Sequence, residues 1–295
     1  MNRGGLLSKA ERDFVEGGVE ESVRSDGRER LAPRPVELKV GVVPQANGSC
    51  LLRCGGTRVL AGTKVELEAA EIVGRGKLTC SISCSMLASP MFEGRAGEDV
   101  SAELTRSMNQ MMAQGMPKEV YSRLAVGEEG KQCWHVHCDA SVLDYDGTSL
   151  DCCSMAIYAA LANTLIPQVK VLLGTEEGAG PEIELMDSSD DCLPFDVSDV
   201  PIYTTLAQIG QRYVVDATHT EESCASARVS IAVNANGKLC ASHKSEGRGL
   251  HPSQLALMLQ AAQRIGLDRL ETLKALVAHS NSHDGPDTIL ERPIF

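Results

Sequence analysis

The feature that most constrains the fold is a repeated order of predicted elements. Several strands followed by a helix occur twice along the chain. The first run covers about residues 36–114, and the second covers about residues 132–276. Runs of strands followed by helices are typical of α+β folds, in which the helices pack on a sheet. We therefore expect an α+β protein with two similar halves, although the halves share too little sequence to show a repeat by identity.

Local signals support these elements. Residues 101–112 carry a leucine and methionines at helical spacing, and residues 151–165 form an alanine-rich stretch before a proline. Pro252 opens a long last helix, where proline is tolerated at the first position. Asn47-Gly48 and Asn236-Gly237 are typical of tight hairpin turns.

The same signals divide the chain into five parts. A capping box at Ser8 begins the first helix, and Gly17-Gly18 is expected to end it. The predicted parts are an N-terminal helix and turn (residues 1–30), a first half (31–173), an acidic loop (174–192), a second half (193–278) and a flexible tail (279–295).

Composition limits the possible functions. The 295 residues have a net charge of −12, whereas a free-standing nucleic-acid binder is usually basic. Any contact with RNA should therefore use a small local patch, with basic partners supplying the rest. The 11 cysteines include no CxxC pair, which favours small buried side chains in a reducing compartment. No apolar run approaches the ~18 residues of a membrane helix, so we expect an intracellular protein with no membrane contact.

Five short motifs follow one another in a fixed order. They are Arg24-Ser25-Asp26-Gly27-Arg28, Gly55-Gly56-Thr57, Phe92-Glu93-Gly94-Arg95, Asp146-Gly147-Thr148-Ser149-Leu150-Asp151, and Val214-Val215-Asp216-Ala217-Thr218 with Glu221-Glu222. As a set they resemble the RNase PH-type subunits of the RNA exosome ring, over about residues 6–276. The resemblance implies an RNase PH fold, with duplicated β-β-α-β-α-type halves whose helices pack on mixed sheets. That family contains phosphorolytic nucleases and subunits that have lost the chemistry.

The phosphate site of the active members follows a Gly-Gly-Thr-Arg motif that enters a helix, where free amides and the helix dipole favour an anion. Here Thr148 and Ser149 occupy the matching positions, and Ser149 replaces the arginine. Asp151 falls near the helix start, where a carboxylate can cap the amides itself. It would also repel phosphate by about 4 kcal/mol at ~4 Å and an effective dielectric of ~20. We expect a degenerate site that binds no phosphate.

Two carboxylates lie six residues apart, at Asp216 and Glu222. In active relatives a pair of aspartates at this spacing is implicated in acid or metal-assisted catalysis. The ordinary alternative is that Asp216 closes the end of an apolar strand through a turn and that Glu222 is solvated. Because a carboxylate pair without a phosphate site has little to act on, we interpret both residues as vestigial.

Cys133, His135 and His137 alternate along one predicted strand and so point to one face, as zinc ligands could. A structural zinc site needs a fourth ligand, and the spacing reveals no second cluster. We therefore expect no metal and no cofactor.

Three arginines carry further expectations. The resemblance suggests that Arg95 and Arg106 contact RNA, whereas the alternative makes Arg95 a turn residue and pairs Arg106 with Glu103. The motif around Asp26 suggests a buried aspartate flanked by Arg24 and Arg28, in a network that positions the N-terminal turn.

The resemblance and the degraded motifs together predict a non-catalytic subunit of the hexameric exosome ring, which supports 3′–5′ RNA processing and decay. The partners would be other RNase PH-like subunits, RNA-binding cap subunits, an associated hydrolytic nuclease and the RNA that passes through the ring. The implied location is the nucleus, nucleolus and cytoplasm. The alternative is an active phosphate-dependent 3′–5′ exoribonuclease.

Overall fold

The computed structural model describes residues 7–127, 130–172, 182–185, 192–245 and 247–282. Within these ranges it contains six α-helices and two main sheets. The helices are α1 (Lys9–Glu20), α2 (Arg95–Gly115), α3 (Lys118–Arg123), α4 (Ser149–Ala162), α5 (His219–Cys224) and α6 (Pro252–Ser282). No helix of the described residues is long and apolar enough to span a membrane.

The first sheet belongs to the first half of the chain and is mixed. Its strands are β1 (Val36–Val40), β2 (Gly48–Cys54), β3 (Thr57–Ala69), β4 (Lys77–Cys84), β5 (Ala125–Val126) and β6 (Gln132–Asp144). They pair in the order β1-β2-β3-β6-β4, with β5 also on β6. Strand β4 runs parallel to β6, and the other neighbours are antiparallel.

The second sheet is antiparallel throughout, in the order β12-β11-β13-β14. Its strands are β11 (Ile202–Ile209), β12 (Arg212–Val215), β13 (Ala227–Val233) and β14 (Leu239–Lys244). Two small strand pairs occur along the chain between the strands of the two sheets. They are β7 (Leu165–Pro167) with β10 (Cys192–Pro194), and β8 (Val169–Leu172) with β9 (Glu182–Leu185). The predicted α+β class is confirmed, and one of the two main sheets is mixed.

Helix α4 joins the two halves. It contacts β2, β3 and β6 of the first sheet and β11 of the second. Every residue from Leu150 to Leu161 is buried, as expected for a helix that is apolar all round. Its alanines and cysteines are small enough for strands to approach on both sides. The first turn of α4 therefore lies at the junction of the two halves.

Helices α2 and α6 also contact both halves. Helix α2 packs on β4 and reaches β14, while α6 contacts β11 and β13 of the second sheet and β1 of the first. The cysteines contribute to these interiors as predicted. All 11 are free thiols, of which three are partly buried (Cys84, Cys192 and Cys240) and eight are buried.

Several predicted boundaries differ from the structure. Helix α1 continues past Gly17-Gly18 to Glu20, because burial of Val19 against the second half outweighs the glycine signal. The predicted acidic loop contains strand β9, which pairs with β8, and its residues 174–181 and 186–191 lie outside the described part. Helix α6 extends to Ser282 into the predicted tail, whose residues 283–295 are likewise not described.

Candidate functional site

Asp216 directly follows β12 and is completely buried. Its backbone φ of 51° lies in the left-handed region, which is unusual for a residue other than glycine. Arg34 donates to its carboxylate from the backbone N–H at 2.7 Å, from Nε at 3.1 Å and from Nη2 at 2.8 Å. The hydroxyl of Thr148 donates to Oδ1 at 2.7 Å. Both oxygens are therefore used by the protein itself.

Further positive charges surround the same carboxylate. Arg28 and Arg269 place guanidinium nitrogens 3.5 Å and 3.6 Å from Oδ2. Burial by itself would raise the pKa of Asp216, but the charges of Arg269, Arg34 and Arg28 outweigh it and hold that pKa well below its usual range. A carboxyl group that stays ionised and enclosed cannot serve as a general acid. The structure therefore favours a structural role for Asp216.

Glu222 lies on α5 and its side chain is 7% exposed. Its Oε1 accepts the backbone N–H of Thr148 at 3.0 Å. Its Oε2 accepts the hydroxyl of Tyr145 and pairs with Arg228 at 3.0 Å. The carboxylate of Glu222 therefore takes an amide at the start of α4, where an incoming anion would otherwise bind.

Thr148 connects the two carboxylates, since its amide donates to Glu222 and its hydroxyl donates to Asp216. It is the N-cap of α4, with a left-handed φ of 49°. A non-glycine residue held in this region costs on the order of 1–3 kcal/mol, which these two hydrogen bonds offset. The two acids thus fix the geometry at the helix start.

The prediction that Asp151 caps the start of α4 is wrong. Its carboxylate does not cap α4, which has no side-chain cap hydrogen bond. It is buried and accepts the backbone N–H of Thr205 at 2.8 Å, the Thr205 hydroxyl, and Nη1 of Arg269 at 2.9 Å. Burial raises the pKa of Asp151 despite the opposing charge of Arg269. The negative charge beside the α4 amide belongs to Glu222, for which the sequence left a solvated position open as the ordinary alternative.

A cleft of about 300 Å³ opens beside this helix start, with Ser149 and Thr148 in its wall. Other lining residues are Glu222, Arg228 and His243. Arg228 is paired with Glu222, whose charge is the main cause of its raised pKa. His243 Nε2 lies 3.0 Å from a carboxylate oxygen of Glu103, another lining residue. These two basic groups are thus engaged by carboxylates of the same cleft.

The two candidate RNA contacts lie on α2, and both are exposed. Arg95 is the first residue of the helix, so it is not part of a turn. Arg106 follows Arg95 by eleven positions, which puts the two on nearly the same helix face about 16 Å apart. The partner expected for Arg106 in the alternative, Glu103, is instead bonded to His243. The structure thus leaves both guanidinium groups at the surface.

The N-terminal motif forms a charge network, but with different acids from those predicted. Asp26 is 33% exposed and binds Arg28 at 2.7 Å. Arg24 is buried and donates from Nε to Glu221 at 2.8 Å, and also to backbone oxygens that include Asp216 O at 2.9 Å. The buried acids of the network are therefore Glu221 and Asp216, which belong to the second half of the chain.

Sequence reasoning missed three residues that shape this region. Arg34 lies between two prolines and carries no motif signal. Tyr145 immediately precedes a recognised motif, but its hydroxyl contact with Glu222 depends on tertiary structure. Arg269 offered a usable signal, because it falls within the apolar stripe of α6, where a buried arginine requires an acidic partner.

Comparison with known proteins identifies the class. The first domain of the 3′ exoribonuclease family, RNase PH, matches residues 32–167, and its second domain matches residues 199–265. The chain therefore belongs to the 3′ exoribonuclease family. This result confirms the resemblance inferred from the five motifs.

The relatives narrow this assignment. A Dictyostelium discoideum protein, provisionally designated an exosome complex exonuclease RRP42, is 30% identical and is aligned over 93% of this chain and 99% of its own length. The exosome complex component Rrp42 of Thermococcus gammatolerans is 34% identical over 82% of this chain and 86% of its own. An Archaeoglobus fulgidus exosome structure with RNA bound to the active site matches with a TM-score of 0.74 and 28% identity, over 89% of this chain and 97% of that one.

Replacing Asp216 tests its structural role. We expect Asp216→Asn to lower the free energy of unfolding by about 3 kcal/mol at neutral pH, because it leaves buried arginines without their counter-charge. Denaturant unfolding of the full chain measures this loss. Asp144→Asn is the matched control, since Asp144 also pairs with an arginine but at the surface, and it should cost less than about 1 kcal/mol. Equal losses in the two variants would contradict this role.

The same pair of proteins gives a pH test. The pKa of Asp216 is lower in the folded chain than in the unfolded chain, where it is about 3.9. The stability that ionised Asp216 contributes to the folded chain is therefore fully present above the unfolded pKa. It is lost as the pH falls through the folded pKa. The difference in the free energy of unfolding between wild type and Asp216→Asn should stay constant from about pH 6 to 8 and become smaller below about pH 4. A difference that becomes smaller with rising pH would contradict the assignment.

Glu222→Gln should create anion affinity in the cleft. The substitution removes the negative charge beside the Thr148 amide and frees Arg228 from its ion pair. We expect the affinity for inorganic phosphate to rise by about tenfold or more, measured by calorimetric titration. Glu37→Gln is the control, because Glu37 of β1 also pairs with an arginine, Arg53 of β2, but outside the cleft. No difference between the two variants would contradict the inhibitory role of Glu222.

Proposed function

We propose that this chain is a non-catalytic ring subunit of an RNA exosome, in which RNase PH-like chains form a six-membered ring. The observation that carries the proposal is the hydrogen bond from the Thr148 amide to Glu222, because it places a buried carboxylate on one of the amides at the start of α4, where phosphate would bind in a phosphorolytic site. The chain's work would then be to hold its neighbours and to line the channel through which RNA passes.

The charge state of the cleft supports the loss of chemistry. Ser149 supplies no positive charge where the active members have an arginine, and Arg228 is neutralised by Glu222. Asp216 is enclosed by arginines and presents no free oxygen to a substrate. A site that neither binds the attacking anion nor offers a free acid lacks both requirements of phosphorolysis.

The comparisons support the assembly. The relatives that match most of the chain carry exosome names, and one matching structure is an Archaeoglobus fulgidus exosome. A second matching structure is an archaeal exosome core, with a TM-score of 0.70 and 27% identity over 90% of this chain and 96% of that one. RNA-binding cap subunits and a hydrolytic nuclease would complete the complex. The corresponding locations are the nucleus, nucleolus and cytoplasm, where ribosomal RNA processing and mRNA decay take place.

An assay of the assembled ring tests the missing activity. The chain is purified alone and with its RNase PH-like partners, native mass spectrometry establishes the assembly, and RNA is then supplied with phosphate. We expect the chain alone to release no nucleoside diphosphate. Rings that carry the wild-type chain and rings that carry Glu222→Gln should release nucleoside diphosphate at the same rate. Release that falls with Glu222→Gln or Asp216→Asn in an intact ring would favour the alternative, an active phosphate-dependent exoribonuclease.

The exposed arginines of α2 should contribute to RNA affinity. In the assembled ring, the double variant Arg95→Gln and Arg106→Gln should weaken binding by the same factor for RNAs of different sequence. It should also reduce the slope of log K against the logarithm of the salt concentration by about 1–2. Fluorescence anisotropy at several salt concentrations measures both quantities. Arg212→Gln is the control, because Arg212 is exposed on β12. An unchanged salt dependence in the double variant would remove these residues from the RNA path.

A further inference from the structure

The outer face of the first sheet carries a cluster of imidazoles and carboxylates. On β6, Trp134, Val136 and Cys138 are buried in the core. The alternate residues His135 and His137 therefore point to the opposite face. We propose that these two histidines and Glu68 form a binding site for a zinc-type divalent ion.

Three neighbouring strands build the cluster. In the register of the sheet, Glu66 of β3 lies opposite His135, and Thr79 of β4 lies beside His137. Glu68, two residues beyond Glu66 on β3, reaches His135 diagonally, with Oε2 2.9 Å from Nδ1. This arrangement was not visible in the spacing along β6, because the carboxylate comes from a strand 67 residues away.

The ligand atoms are close enough to share one ion. One ligand atom from each of Glu68, His135 and His137 lies within 4.8 Å of the other two, and the two imidazole rings are tilted by 35° with their centroids 3.7 Å apart. Tetrahedral zinc with bonds of 2.0–2.1 Å places its ligand atoms about 3.4 Å apart. The ligand atoms are therefore at most about 1.4 Å farther apart than one tetrahedral zinc ion requires.

Thr79 holds the other side of both rings. Its Oγ1 lies 2.9 Å from Nε2 of His135 and 3.4 Å from Nδ1 of His137. A hydroxyl oxygen that accepts an N–H from a histidine orients the ring and leaves the lone pair of the other nitrogen free for a metal. Nε2 of His137 is then the free nitrogen, whereas Nδ1 of His135 donates to the Glu68 carboxylate and would give up that proton to bind an ion.

His137 supplies a second, independent observation. Its Nε2 is shielded from solvent, and no hydrogen-bond partner is found for it among the described residues. The nearest acidic group is the carboxylate of Glu66 at 3.7 Å, which also pairs with Lys64. A shielded nitrogen without a hydrogen bond is costly, and coordination to an ion would satisfy it.

The donor set indicates the kind of ion. Two imidazoles and a carboxylate are the ligands of many zinc sites and leave the fourth position for water or for a group from another molecule. Imidazole ligands select zinc over magnesium and calcium, which prefer oxygen alone. The buried thiol of Cys133, whose pKa is raised by burial, lies on the same sheet face but outside the cluster.

Metal titration of the full chain tests the site. After treatment with EDTA, the protein is titrated with zinc by calorimetry and with cobalt by absorption spectroscopy. We expect one site of micromolar affinity or tighter, no response to magnesium, and a cobalt spectrum without the charge-transfer band of thiolate ligands. The missing band separates this site from binding by any of the 11 cysteines.

Variants locate the ion. His137→Gln and Glu68→Gln should each weaken zinc binding by at least about tenfold, whereas His251→Gln, at an exposed histidine outside the cluster, should leave it unchanged. Circular dichroism establishes that each variant is folded, and two separate ligand variants protect the test if one is not. Equal zinc affinity in all four proteins, thiolate bands with cobalt, or no micromolar binding by the wild type would overturn the proposal.

Discussion

The structure depends on the buried negative charge of Asp216. Its partners come from four separated parts of the chain: Arg28 in the N-terminal motif, Arg34 before β1, Thr148 at the start of α4, and Arg269 on α6. A carboxylate and several guanidinium groups can be buried together only if each charge is matched, because the desolvation penalty of an isolated buried ion is several kcal/mol. The N-terminal segment, both sheets and two helices are therefore fixed relative to one another at this residue.

The same requirement explains why the two conspicuous acids are poor candidates for chemistry. Asp216 is committed to arginines, and Glu222 is committed to the Thr148 amide, Tyr145 and Arg228. Catalytic acids need an open face and a pKa suited to proton transfer. In this chain the carboxylates instead stabilise the start of α4, where their hydrogen bonds hold a left-handed threonine in place. The start of α4 is therefore held by the protein's own carboxylates.

Much of the fold could be predicted from local pattern. The hairpin between β13 and β14, the apolar helix α4 and the strand content of both halves follow from signals within a few residues of each other. The partners of the buried charged side chains could not be predicted in this way. Asp151 meets Arg269 across 118 positions, and Thr148 meets Glu222 across 74. Only tertiary packing decides which carboxylate receives an arginine and which receives an amide.

The most direct measurement is a crystal structure of the chain, in its ring, grown with a high concentration of inorganic phosphate. We expect Glu222 still to accept the Thr148 N–H and no phosphate to lie against the amides of the first turn of α4. Phosphate bound to those amides, with the Glu222 side chain turned away, would contradict this expectation.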